Sequence, residues 1–138
     1  ELTVVTSSLL AAEALAHSET VTVLLLGGRM RGRTLATVDS WAVERLRSLV
    51  IDVAYLGTNG ITPEHGLTTP DPAVAAVKQT AVSVAMRRIL VAAHSKFGET
   101  SFCRFADVGD FETIVTGTEL PAADAHRYEA LGPSVIRT

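Results

Sequence analysis

Between Asp52 and Gly98 the chain spells out strand, loop, helix, strand and loop in one unbroken run, and few folds accommodate it. Asp52-Val-Ala-Tyr-Leu56 is an apolar strand that leads into a Gly-rich loop, Gly57-Thr58-Asn59-Gly60 continued by Ile61 to Thr69 with Gly66. Asp71 followed by Pro72 marks a helix start, because proline is pre-set for the first helical turn and lacks only an N–H that would be unpaired there anyway. Val74, Val77, Ala81 and Val84 recur at helical spacing within an amphipathic run to Arg88. Ile89 to Ala93 is a second buried strand, and His94-Ser-Lys-Phe-Gly98 is the loop after it. A right-handed crossover makes the two strands parallel and brings both loops to one edge of the sheet, the edge where open α/β sheets bind ligands.

The flanking segments fit the same grammar. Leu2 to Thr6 and Val21 to Leu26 read as strands, with a Ser7 or Ser8 cap opening a helix to about His17 between them. Gly27-Gly28 and the basic turn Arg29-Met-Arg-Gly-Arg33 follow. Asp39 or Ser40 caps a helix to about Leu49, with Ala42, Leu46 and Leu49 on its apolar side. Val50 opens the third strand. Ser101 to Phe105 is either a short strand or irregular cover, Thr113 to Thr116 and Ser134 to Arg137 are strands, and Pro121 to Leu131 is a helix stopped by Gly132. Alternation of this kind predicts an α/β three-layer sandwich with a mostly parallel sheet, in a single domain.

Several function classes drop out. A formal net charge of −3 gives the domain no electrostatic match to nucleic acid. Cys103 is the sole cysteine, which excludes an internal disulfide and any multi-thiolate metal site. His17, His65, His94 and His126 lack metal-ligand spacing, so no metal and no cofactor is expected. No apolar run has the length of a bilayer span, and no leader is visible, so a cytoplasmic setting without membrane contact is expected. The chain opens on Glu1 and enters a strand almost at once, which reads as a fragment of something longer.

What remains is a set of strand-end loops. Gly57 to Gly60 exposes backbone N–H groups beside the neutral side chains of Thr58 and Asn59, an arrangement suited to a phosphate or sugar hydroxyl as well as to an ordinary strand-exit turn. Gly66-Leu67-Thr68-Thr69 brings hydroxyls near a helix start, where anions are favoured; a loop satisfying its own backbone has the same composition. Ser95 and Lys96 supply a donor and a positive charge. Lys78, two turns into the helix, reads by itself as a snorkelling surface residue. Trp41, Tyr55 and Tyr128 are scattered and read as packing residues. No catalytic elbow or nucleotide-hydrolase phosphate loop is present.

The landmarks Leu2-Thr-Val-Val-Thr6, Leu26-Gly-Gly-Arg29, Asp52-Val-Ala-Tyr-Leu-Gly57 with Asn59-Gly60, Gly66-Leu-Thr68, Val77-Lys78, Ser95-Lys-Phe-Gly98 and Ile114-Val-Thr116 come in a fixed order. In that order the chain resembles the C-terminal effector-sensing domain of DeoR-type bacterial transcriptional repressors. The resemblance implies a sheet related to ribose-5-phosphate isomerases and CoA transferases. It further implies a phosphorylated sugar or related small metabolite as ligand, a homo-oligomer, and DNA contact only through an N-terminal winged helix-turn-helix that lies, with the first sensor strand and its phosphate loop, outside residues 1–138. The ligand-binding positions it implies are Gly27, Gly28, Asn59, Gly60, Gly66, Leu67, Thr68, Lys78, Ser95 and Lys96, to which the loop chemistry adds Thr58. Two departures stand out. Ala93 occupies the place of an aspartate usual in the family, and the residues just before Lys78, among them Ala73 and Ala76, include no acid. The alternatives are a sugar-phosphate isomerase and a ligand-free oligomerisation domain. Isomerisation needs a base, normally a carboxylate, at the substrate. Asp52 sits at the wrong end of its strand, and Glu64 and Asp71 read as loop and cap residues. No catalytic residue is therefore assigned.

Overall fold

The computed structural model describes residues 1–138, which fold as two compact units, Glu1–Leu49 and Val50–Thr138. In the second unit the βαβ grammar produces the expected parallel sheet. Strands β5 (Ile51–Leu56), β8 (Ala85–Val91), β10 (Thr113–Thr116) and β11 (Ser134–Arg137) form a four-stranded sheet in the order β11-β10-β8-β5, every pair parallel. Leu56 lies opposite Leu90, and Ile114 opposite both Leu90 and Val135. Because side chains alternate along a strand, these residues share one face, and they join Ile61, Leu67, Phe105, Phe111 and Tyr128 in the core. Tyr55 falls on the opposite face and is 71% exposed, while Trp41 in the first unit is 76% exposed. Of the three aromatics read as packing residues, only Tyr128 packs.

Helix α3 (Pro72–Val84) starts as its sequence dictates: the Asp71 carboxylate accepts from the N–H groups of Ala73 (2.7 Å) and Val74 (3.3 Å). Removing this cap in Asp71→Ala should cost about 1 kcal/mol, read as a lower denaturant midpoint with an unchanged slope. The helix ends before the amphipathic run does. Ala85 turns extended, and Arg87 and Arg88 belong to β8. The Arg88 guanidinium turns back to donate to the carbonyls of Val82 (3.2 Å) and Ala85 (2.8 Å), so the residue expected to end the amphipathic run instead satisfies the carbonyls at the helix end.

A second departure is the segment read as a Gly-rich loop. Gly60–Thr62 (β6) and Gly66–Thr69 (β7) form an antiparallel hairpin, and Cys103–Ala106 (β9) pairs with β7 to complete a three-stranded sheet. Strands of three and four residues are too short to show a period, but Ile61 and Leu67 are completely buried and drive the hairpin onto the core. Helix α4 (Ala122–Glu129) follows β10 and packs on β11. Its Tyr128 donates a hydrogen bond to the Ile61 carbonyl at 3.1 Å.

In the first unit, β1 (Leu2–Thr6) and β2 (Val21–Leu25) pair in parallel, and α1 (Leu9–Leu15) opens on the Ser8 cap. The basic turn is in fact a strand: β3 (Arg29–Arg31) pairs with β4 (Ala36–Val38) as a hairpin. Helix α2 (Asp39–Arg47) has no side-chain cap. Asp39, expected as one candidate cap, has φ +73° and gives its carboxylate to Arg29 at 2.7 Å. Ala42 and Leu46 are buried as predicted.

Candidate functional site

The parallel register of β5 and β8 sets Leu56 against Leu90, so the chain leaves both strands side by side. Gly57 lies near the Val91 carbonyl, with 3.8 Å between that oxygen and the position a Cβ would take. The loops after Leu56 and after Val91 therefore share one edge of the sheet. Lys78 reaches the same place from α3, and its ammonium donates to the Gly57 carbonyl at 2.9 Å.

Lys78 decides the electrostatics. The side chain is half-buried and its Nζ lies 5.2 Å from the centroid of the Phe105 ring. It pairs with no carboxylate; the residues one turn before it are Val74 and Ala75. Burial alone pulls its pKa down from 10.5 to about 8, because a low-dielectric setting disfavours the charged amine. A partly desolvated cation without a counter-ion is a standing invitation to an anion.

The other predicted residues divide into two groups. Asn59 is exposed; its Oδ1 accepts from the Thr69 hydroxyl at 2.8 Å, which leaves the amide NH2 without a protein partner. Ser95 is exposed and Lys96 half-buried, both on a single 3-10 turn, His94–Lys96, and neither side chain has a protein partner. Asn59, Lys78, Ser95 and Lys96 thus offer donors at one sheet edge, and no carboxylate occurs in residues 57–60 or 93–96.

Thr58, Gly60, Gly66, Leu67 and Thr68 are turned inward. The Thr58 hydroxyl lies within donating distance of the carbonyls of Gly60 (2.8 Å) and Thr68 (3.0 Å). The Thr68 hydroxyl accepts from the Ser101 N–H at 2.8 Å, and its carbonyl accepts from the Asn59 N–H at 3.2 Å. Leu67 is completely buried. Gly60 and Gly66 pass so close to the carbonyls of Glu99 and Ala106 that neither position has room for a Cβ. These residues build the hairpin that supports Asn59. Gly27 and Gly28 belong to the other unit, where Gly28 lies against the Val38 carbonyl.

Of the carboxylates weighed as an isomerase base, Asp71 caps α3, Asp52 is the second residue of β5, at the end opposite the Gly57 loop, and Glu64 sits in the β6–β7 turn, 4.0 Å from Arg127. No group of three or more His, Cys, Asp or Glu side chains is placed to hold a metal ion. No helix is long and apolar enough to cross a membrane.

Sequence reasoning missed a neighbouring feature. Beyond the 94–96 turn a cleft of about 280 Å³ opens between that turn and α4, lined by His94, Phe97, Glu119, Asp124, Arg127 and Tyr128 among others. Nothing in the local spacing of Glu119, Asp124 and Arg127 announces it, because the sheet brings the segments together.

Comparison with known proteins places this geometry in context. The sequence model of one family, described as the DeoR C terminal sensor domain, matches residues 1–118. The HTH-type transcriptional regulator FruR of Bacillus subtilis, itself uncharacterized, is 39% identical over 119 residues, which is 86% of this chain and 47% of that protein. The HTH-type transcriptional regulator GlpR of Haloferax volcanii is 36% identical over 114 residues, 83% of this chain and 45% of that protein. The HTH-type transcriptional repressor GlcR of Bacillus subtilis is 33% identical over 116 residues, 84% of this chain and 45% of that protein. The chain spans just under half the length of these curated relatives.

Proposed function

The chain belongs to the family of DeoR C-terminal sensor domains, a family of transcriptional-regulator sensors rather than enzymes, and from that premise we propose that it binds a phosphorylated sugar or a similar small anionic metabolite. The ligand sits where the loops after β5 and β8 meet Lys78, and its occupancy controls DNA binding by a part of a longer cytoplasmic regulator outside these residues. The observation that carries this reading is the half-buried Lys78 ammonium with no carboxylate partner, held at the carboxyl end of a parallel strand. Asn59, Ser95 and Lys96 add donors to the same edge, and donors without acceptors suit a phosphate.

The pH dependence tests it. An anion favours the protonated lysine, so binding from a solution above about pH 8 must take up a proton. A phosphate ester is already dianionic there, so Lys78 is the group that changes charge. Affinity for a hexose phosphate should be flat between neutrality and pH 8 and then fall, approaching tenfold per pH unit. Calorimetry in buffers of different ionisation enthalpy should register the proton uptake. An affinity that stays level through this range would remove Lys78 from the site.

A further inference from the structure

We propose that the cleft between the 94–96 turn and α4 is the subsite for the hydroxyl-bearing carbon skeleton of the ligand, a single hexose-sized moiety. The proposal rests on the phosphate reading above and goes beyond it in assigning Glu119, Asp124, Arg127 and His94 to hydroxyl recognition.

The geometry of the cleft separates a fixed floor from an open rim. Phe97 and Tyr128 meet edge to face, centroids 5.1 Å apart and planes at 85°, and the Tyr128 hydroxyl is committed to the Ile61 carbonyl. That floor is apolar, and its one hydroxyl is already bonded. The rim is polar and uncommitted: His94 Nδ1 stands 3.9 Å from Glu119 Oε2, and Arg127 stands 3.8 Å from Asp124 and 4.0 Å from Glu64. None of these spacings is a hydrogen bond, so each group keeps its donors or acceptors for another partner. An apolar floor with a few convergent polar groups is the usual composition of a small-molecule site.

The chemistry selects hydroxyls over a second phosphate. Glu119 and Asp124 offer only acceptors, Arg127 only donors, and the His94 imidazole at least one donor. A hydroxyl both donates and accepts, so it can pair with any of them, whereas a phosphate would face two carboxylates. About 280 Å³, the liquid volume of about nine waters, admits one sugar ring. The cleft also adjoins the anion site, because His94, Phe97 and Gly98 in its wall flank Ser95 and Lys96. Its other wall, from Glu119 onward, lies beyond residues 1–118, the stretch that the family description matches.

Calorimetric titration of the 138-residue chain with inorganic phosphate and with the 6-phosphates of glucose, galactose, mannose and fructose tests the assignment. At least one hexose phosphate should bind about tenfold or more tightly than inorganic phosphate, the worth of one hydrogen bond to a charged group. Asp124→Asn and Glu119→Gln should each erase most of that advantage while leaving inorganic phosphate binding unchanged, which also shows that the variants are folded. If no hexose phosphate outbinds phosphate, or the advantage survives both substitutions, the cleft is not the subsite although the anion site stands. If neither phosphate nor any hexose phosphate binds, the anion reading fails and takes the cleft with it.

Discussion

Replacing Lys78 by methionine should stabilise the fold by about 1–2 kcal/mol while weakening a phosphorylated ligand about 10- to 150-fold. The two effects have one cause. In the free protein the ammonium gives up part of its hydration and receives only the Gly57 carbonyl and the face of Phe105 in return, a net cost that its lowered pKa records. The stabilisation is set well below the full value of that shift, because water still reaches a half-buried ammonium. Methionine keeps the length and the contact with Phe105 and removes the desolvated charge. Gly57 is exposed, so its carbonyl finds water when the lysine leaves. The loss in binding corresponds to one charge-assisted hydrogen bond.

The pH dependence of stability gives an independent check. Lys78 binds its proton less tightly in the folded than in the unfolded chain, so between about pH 8 and 10.5 the unfolded state holds more protons. The stability of the native sequence should therefore gain a rising contribution across that window, fully absent below it. The difference between native and Lys78→Met stability should shrink as pH rises from 8 to 10.5. A Lys78→Met protein that is less stable than the native one would show that the lysine holds the fold together rather than waiting for a ligand.

Gly66→Ala should cost about 2–5 kcal/mol, enough to unfold a domain of ordinary stability at moderate temperature. Gly66 has φ +68°, where an L side chain adds about 1–2 kcal/mol of strain. Its Cβ would also overlap the Ala106 carbonyl and stand 3.2 Å from the α-carbon of Asp107, and forced overpacking adds about 1–3 kcal/mol. Gly98 is the control. It too has a positive φ, +88°, but a Cβ there meets nothing within 4 Å, so Gly98→Ala should cost only the strain. Thermal or urea denaturation of the two variants separates the backbone from the clash. Equal losses at the two positions would mean that β7 and β9 move apart easily and that Gly66 is not needed for close packing.

This contrast shows what the chain makes legible and what it conceals. Pro72 after Asp71 announces the start of α3 because both act within a single turn, through a fixed φ and a short carboxylate. The end of α3 is obscured because Ala85 to Arg88 continue a helical pattern, whereas in the fold they pair with Ile51 to Ala54 of β5 and the Arg88 guanidinium reaches the carbonyls of Val82, Ala85 and Asp110. The glycines and threonines of 57–69 read as ligand loops because the composition of a binding loop and of a tight hairpin is the same. Buried hydrogen bonds from Thr58 and Thr68 divide the two uses and leave Asn59 on the outside. Lys78 reads as a surface residue on local grounds, and its sequence neighbours cannot show Phe105 beneath it or Gly57 above it.

Sequence by itself determined the α/β class, the parallel pairing of strands joined by helices, the family, and the sheet edge at which a ligand is expected. The class, the pairing and the edge follow from periodicity, from chain-local capping or from the handedness of a crossover, all of which act over short stretches of chain, and the family follows from the resemblance of the ordered landmark residues. Tertiary structure alone decided which residues on that edge keep free donors, and that Lys78 is desolvated without a counter-ion. It also decided that His94 and Glu119 meet at the rim of a cleft. Burial and unmet hydrogen-bonding capacity depend on segments far apart in the chain, and those meet only when the sheet closes its register.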